Sequence, residues 1–162
     1  EGKRPNILQL MKSYDGSCNM TILIKDIIAE MGLDKSTLTK EDRDYLYSGA
    51  FADEMNNDVF NYDYGREYVD GIGLEAIADY SFEKTKIDGQ PAMIVKASGK
   101  VKRGMVDIRV FTINYIIIYK NYMVFVGFMI NSYDENLPEE KKKYELLSEL
   151  ISSSLIFTDK WL

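Results

Sequence analysis

The chain has no histidine and a single cysteine among its 162 residues. Without an imidazole, Ser-His-Asp triads, Cys–His dyads and His-ligated zinc are all excluded. With Cys18 alone, an intrachain disulfide and a cysteine-rich metal site are excluded as well. Any catalysis would have to run on carboxylates, lysine, tyrosine, serine or Cys18. Cys18 has no basic neighbour in the sequence, and an isolated cysteine of that kind reads as an inert buried side chain rather than a reactive thiol. Phosphate-cradling loops are missing too. There is no Walker A run, and Gly71-Ile72-Gly73 lacks both the later glycine and the preceding apolar strand of a dinucleotide fingerprint. Ser152-Ser153-Ser154 sits in no G-x-S-x-G, and no histidine exists to activate it. Internal repeats and low-complexity segments are absent.

Positive charge is in deficit. Lys and Arg number 20 against 26 Asp and Glu, for a net charge of -6 and a pI near 4.8. A global nucleic-acid footprint is therefore not expected. Lys100, Lys102 and Arg103, and separately Lys141 to Lys143, are local basic spots that read as solvated faces. Long apolar runs are also lacking. The richest, Ile116 to Ile130, is interrupted by Lys120-Asn121 and falls short of the roughly 17–25 residues a membrane helix needs. The chain is not expected to span a membrane.

What is present is a β-meander from Tyr80 to Asn131, four strands joined by three tight turns. Ile87-Asp88-Gly89-Gln90 is the first turn, because Asp-Gly between β-rich runs suits a type I′ hairpin with positive φ at both central residues. Pro91 stands where the next strand begins, where a missing N–H does least harm. In that strand Met93, Val95, Ala97, Gly99 and Val101 share one face, and Lys96, Ser98, Lys100 and Lys102 the other, with Ile94 as the exception. Arg103-Gly104 is the second turn. The next two strands differ. Val106, Ile108, Val110, Ile116 and Ile118 oppose Phe111, Ile113, Tyr115 and Ile117. After the Lys120-Asn121 turn, Tyr122, Val124, Val126, Phe128 and Ile130 oppose Met123, Phe125 and Met129. Strands apolar on both faces are normally covered on both faces. The expected fold is α+β, a single domain with an antiparallel sheet and helices packed on each side.

Before the meander, residues 5 to 14 read as a short strand, Asp15-Gly16-Ser17 as a turn, and Asn19 to Ile28 as a second strand. A helix ending at Gly32 is the alternative for that segment. Asp34 to Thr39 reads as a linker. Thr39 then caps a helix that runs to Asn56-Asn57, with Glu41 and Asp42 in its first turn and Tyr47, Ala50, Phe51 and Met55 as its apolar stripe. Residues 58 to 75 read as irregular. They hold the candidate binding residues Tyr62, Tyr64, Arg66 and Tyr68, since tyrosine and arginine are enriched at interface hot spots. The competing reading is that these tyrosines pack the segment onto the sheet. The oxygen-rich run Asn56, Asn57, Asp58, Asn61, Asp63 lacks the spacing and closing glutamate of a calcium loop, so no metal site is expected. After the meander, Pro138 opens a last helix with Tyr144, Leu147, Ile151 and Leu155 as its stripe. Leu155-Ile156-Phe157 reads as a short final strand, and Trp161 as tucked against the body.

The order strand pair, helix, irregular segment, meander, helix resembles the PsbP-like family. This is the α/β/α sandwich shared by a photosystem II extrinsic subunit and a Ran-GTPase release factor. The matching residues are Ile87-Asp88-Gly89-Gln90-Pro91-Ala92, Tyr119-Lys120-Asn121-Tyr122-Met123-Val124, and the closing Ile151-Ser152-Ser153-Ser154-Leu155-Ile156-Phe157. The likeness runs loosely over residues 18 to 158. It implies a binding or assembly module without a catalytic motif, and a shared fold transmits no site. The expected function is a non-enzymatic binding module that engages another protein, without cofactor, in an exported bacterial protein. The alternative is a small-ligand carrier, or a hydrolase using carboxylates such as Asp53, Glu54 and Asp58.

Overall fold

The computed structural model describes residues 6–14, 16–132 and 137–157, without the side chains of 6–8, 132 and 137–140. Its frame is one six-stranded, fully antiparallel sheet in the order β1-β2-β6-β5-β4-β3. The strands are β1 (Asn6–Lys12), β2 (Cys18–Asp26), β3 (Glu75–Ile87), β4 (Gln90–Arg103), β5 (Val106–Tyr119) and β6 (Tyr122–Ser132). The meander is therefore as expected, and the doubly apolar β5 and β6 are the two central strands. Asp88 and Gly89 both take positive φ, 47° and 73°, as a type I′ hairpin demands.

Among the described residues five helices accompany the sheet: α1 (Ile27–Glu30), α2 (Lys40–Tyr47), α3 (Ala50–Asp58), α4 (Tyr62–Gly71) and α5 (Leu137–Ser153). Ala52 of α3, Phe60, and Val69 of α4 join Met93, Val95, Ile116 and Phe125 in one buried cluster. Tyr144 and Ile151 of α5 pack on a second cluster holding Phe111, Ile113, Ile117 and Val126. Neighbours in a strand point to opposite faces, so these two clusters lie on opposite sides of the sheet. Among the described residues no helix is long and apolar enough to cross a membrane.

Several local expectations are corrected. The helix from Thr39 to Asn57 is two helices. Thr39 and Asp42 do form a reciprocal capping box, but Ser48 and Gly49 break the run, with Gly49 in the left-handed region at φ 88°. The break changes the phase of the apolar stripe. Tyr47 is exposed, while Leu46 and Ala52 are buried. Residues 58 to 75 are not irregular, since most of them form α4. Asn61 caps that helix by accepting from the Tyr64 N–H at 2.8 Å. Its low-propensity glycines hide it in the sequence, and Gly65 is there for contact: a Cβ on it would sit 2.5 Å from Tyr80 Oη.

Both readings of Asn19 to Ile28 hold in part, because β2 ends at Asp26 and a single helical turn follows. The Asp34–Thr39 linker contains a 3-10 turn, Lys35–Thr37. The first meander strand starts at Glu75 instead of Tyr80, with two register shifts and positive φ at Ala76 and Asp79. Such irregularity protects an edge strand from pairing with other chains. Residues 155 to 157 form no strand. In α5 the helix meets the sheet partly through the buried Ser148 and Ser152, and Leu147 of the expected stripe is exposed. Trp161 lies outside the described residues.

Candidate functional site

Helix α4 carries all four candidate binding residues, and its 3.6-residue period divides them into two pairs. Tyr64 and Tyr68 are one turn apart and face the sheet. Tyr64 Oη points at Met123 Sδ, 3.6 Å away. Tyr68 stacks on Phe125 with ring centroids 5.7 Å apart and planes tilted by 14°, and its hydroxyl donates to Asn114 Oδ1 at 3.2 Å. Tyr62 and Arg66 lie on the flank toward Tyr80. The Tyr62 and Tyr80 rings meet edge to face at 4.7 Å, and Tyr80 Oη donates to the Tyr62 carbonyl at 2.8 Å. The Arg66 guanidinium lies 5.7 Å from the Tyr80 ring centre and pairs with Asp70 at 3.7 Å. The structure therefore does not gather the four into one patch.

The inward pair borders a groove. Its outer part is a cavity of about 400 Å³ lined by Leu23, Tyr64, Tyr68, Ile72 and Phe125, with Lys25 and Glu67 at its mouth. An adjoining cavity of about 180 Å³ shares Leu23, Tyr68, Ile72 and Phe125, and adds Asn19, Thr21, Thr112, Asn114 and Gly127. The two are one groove with a mouth and a floor. It exists because α3 and α4 cover the β3–β5 side of this face and leave β2 and β6 open beside α4.

Burial sets the protonation of these phenols. Tyr68 is pushed up to about 12, by burial first and then by the neighbouring Tyr64. Tyr64 is raised as well, by burial and then by the charge of Glu67. Tyr80 is raised to about 12 by burial and by Tyr62, with Arg66 opposing and Asp63 adding to the rise. At neutral pH all three keep their protons, so they serve as hydrogen-bond groups and ring surfaces and not as general bases.

The other candidate chemistry is dispersed. Asp53 borders a separate cavity of about 540 Å³ at the end of the sheet, between the start of α3 and Lys86, Gln90 and Lys120. Glu54 accepts the Tyr45 hydroxyl, and Asp58 ends α3. Neither Glu54 nor Asp58 lines the cavity that Asp53 borders. Among the described residues no grouping of three or more cysteine, aspartate and glutamate side chains is placed to hold a metal. Cys18 is 7% exposed within the α5-side cluster. Asp26 ties the β2–α1 junction together. Its carboxylate pairs with Lys35 at 2.7 Å and accepts from Asn121 at 2.8 Å. Burial opposes its charge, but these bonds and the Lys35 charge hold its pKa below the usual range.

Sequence reasoning missed Leu23, Ile72, Thr112, Asn114 and Gly127. A signal was available. On β5, Thr112 and Asn114 interrupt a face that is otherwise Val110, Ile116 and Ile118, in a strand whose burial leaves no room for idle polar groups.

No family model matches the chain, and no curated protein matches it. Among solved structures, the crystal structure of a Pseudomonas aeruginosa protein of unknown function is similar to it at 12% identity and a TM-score of 0.47, over 96% of this chain and 84% of that one.

Proposed function

We propose that the chain is a non-enzymatic binding module on a PsbP-like α/β/α sandwich, and that it works by enclosing a small apolar ligand in the groove beside α4. The observation that carries this reading is the groove itself, about 400 Å³ at its mouth with a floor of about 180 Å³. Pockets for small molecules are typically concave, mostly apolar and equipped with a few placed polar groups. Leu23, Ile72, Phe125 and the two tyrosine rings supply the apolar wall. Tyr68 Oη and Asn114 supply the polar groups. For the sandwich, the support is the element order and the contribution of α3 and α4 to one cluster and of α5 to the other.

The test uses N-phenyl-1-naphthylamine, an uncharged dye that fluoresces in apolar surroundings. The folded protein should give a saturable rise in fluorescence, and Ile72→Glu should abolish it by placing a charge on the wall. A rise that never saturates, or that survives Ile72→Glu, overturns the groove reading.

A second reading, contact with another protein, is favoured by the outer flank of α4. Tyr62 is 57% exposed there beside Arg66, and both residue types are common at hot spots. Under that reading a Tyr62→Ala/Arg66→Ala variant loses a protein captured by the wild type while its dye binding stays unchanged.

A further inference from the structure

Asn114 is 4% exposed, and its Nδ2 has no hydrogen-bond partner among the described residues. Exchanging the amide oxygen and nitrogen does not help. Tyr68 Oη can pair with whichever atom faces it, and the other amide atom is then left over. A buried amide atom left unpaired destabilises the fold, because it has lost water and gained no partner. Gly127 lies directly across from Asn114 on β6. A Cβ there would come within 2.9 Å of Asn114 Oδ1, so the missing side chain is what lets the amide lie over β6 at the groove floor. Besides Tyr68 and Asn114, the polar side chains that line this floor are Asn19, Thr21 and Thr112, all uncharged. Lys25 and Glu67 stand only at the mouth.

We propose that the groove floor is a subsite for an uncharged carboxamide head, carried on a small molecule whose apolar body stacks along Tyr68 and Phe125. This rests on the ligand-binding reading above and specifies its chemistry. An amide suits both free valences at once. Its carbonyl accepts from Asn114 Nδ2, and its N–H donates to the remaining lone pair of Tyr68 Oη. A carboxylate head is disfavoured, because no cation lines the floor to offset its loss of water. A purely apolar head leaves the Asn114 amide as unpaired as before.

Three probes separate the possibilities: N-benzylacetamide, 3-phenylpropionate and propylbenzene, each titrated into uniformly 15N-labelled protein and followed by 1H–15N correlation spectra. The expected result is saturable binding of N-benzylacetamide, with shifts in the Asn114 side-chain amide and in Leu23 and Ile72. Binding of 3-phenylpropionate should be at least tenfold weaker. Asn114→Leu and Gly127→Ala should each weaken N-benzylacetamide at least tenfold, and Asn114→Leu keeps the test alive if Gly127→Ala fails to fold. Equal binding of N-benzylacetamide by wild type and Asn114→Leu overturns the subsite. If propylbenzene also binds both equally, the apolar groove survives without the amide subsite. If no probe shifts any groove resonance, the subsite and the groove reading fall together.

Discussion

Between Val110 and Ile118, β5 turns alternate residues to two faces, and every one of them is buried. Toward α5 they are Phe111, Ile113, Tyr115 and Ile117, and the one polar atom among them, Tyr115 Oη, lies 3.3 Å from Ser148 Oγ on the helix. Toward α4 they are Val110, Thr112, Asn114, Ile116 and Ile118. Here Thr112 Oγ1 reaches the Ala97 carbonyl at only 3.5 Å, and Asn114 is half paired. Burial alone does not separate a core from a site. On the α5 face the polar atom of β5 is paired, although Ser152 Oγ of the helix above finds no partner among the described residues, whereas on the α4 face β5 itself keeps two polar side chains under cover with part of their bonding unused. Buried polar groups left part-paired call for an explanation, and the ligand subsite proposed above is the one that Asn114 suggests.

The largest effect belongs to the matched face. Ile113 is fully buried in the α5-side cluster. Ile113→Ala removes three carbons from a tightly filled interior and should lower stability by about 3–4 kcal/mol, measured by urea denaturation followed by circular dichroism. A loss under about 1 kcal/mol would mean that this face collapses around a cavity and is not closely packed, which breaks the contrast.

Next comes the phenol over the groove. Tyr68 has its pKa raised from 10.0 to about 12 in the folded chain. A group raised on folding contributes stability that is complete below its unfolded pKa and is lost as pH climbs through the folded value. The wild type should therefore lose about 2–3 kcal/mol between pH 10 and 12 that Tyr68→Phe does not lose. Urea midpoints for both proteins across that interval check it. Parallel curves would mean that Tyr68 is more open to water than its place over Asn114 implies.

Smaller again is the effect of filling the seam that seats α4. Gly65→Ala gains helix propensity worth about 1 kcal/mol. Its methyl, however, meets Tyr80 Oη at 2.5 Å and Val95 Cγ2 at 3.2 Å, and overpacking typically costs about 1–3 kcal/mol. The net expectation is a loss of about 1 kcal/mol, with shifted resonances at Tyr68 and Phe125 as the helix lifts. A gain in stability would show that α4 can move outward freely and that the groove has no fixed width.

The meander was legible because its turns and alternation are local. Asp88-Gly89 needs no tertiary context, and the doubly apolar β5 and β6 announce their central place. The helices were less legible, because their signals depend on the sheet. Gly49 looks like an ordinary interior residue until its positive φ ends α2, and Gly65 looks like a helix breaker until Tyr80 fills the space above it. The site was half legible. Tyr64 and Tyr68 stood out by residue type, but their division from Tyr62 and Arg66 required the helix. Leu23, Ile72 and Phe125 converge only through strand pairing and the docking of α4, which no spacing in the chain records.

The smallest expected change in stability is also the most discriminating. Asn114→Leu replaces a side chain that is 4% exposed with an apolar one of the same heavy-atom count and the same branching at Cγ, though somewhat bulkier. If Asn114 belonged to a finished core, its loss would strip a hydrogen bond from Tyr68 and cost about 2 kcal/mol or more. If it is held half paired for a ligand, the leucine removes an unpaired amide atom and adds apolar contact with Phe125 and Met129, while Tyr68 Oη loses one acceptor. These terms oppose each other, so stability should stay within about 1 kcal/mol of the wild type, and the Tyr68→Phe/Asn114→Leu pair should be at least as stable as Asn114→Leu alone. Thermal and urea unfolding measure both. The contrast with Ile113, its neighbour on the same strand and no less buried, then becomes quantitative: removing apolar bulk beneath α5 costs several kcal/mol, whereas removing polarity beneath α4 costs almost nothing except the site.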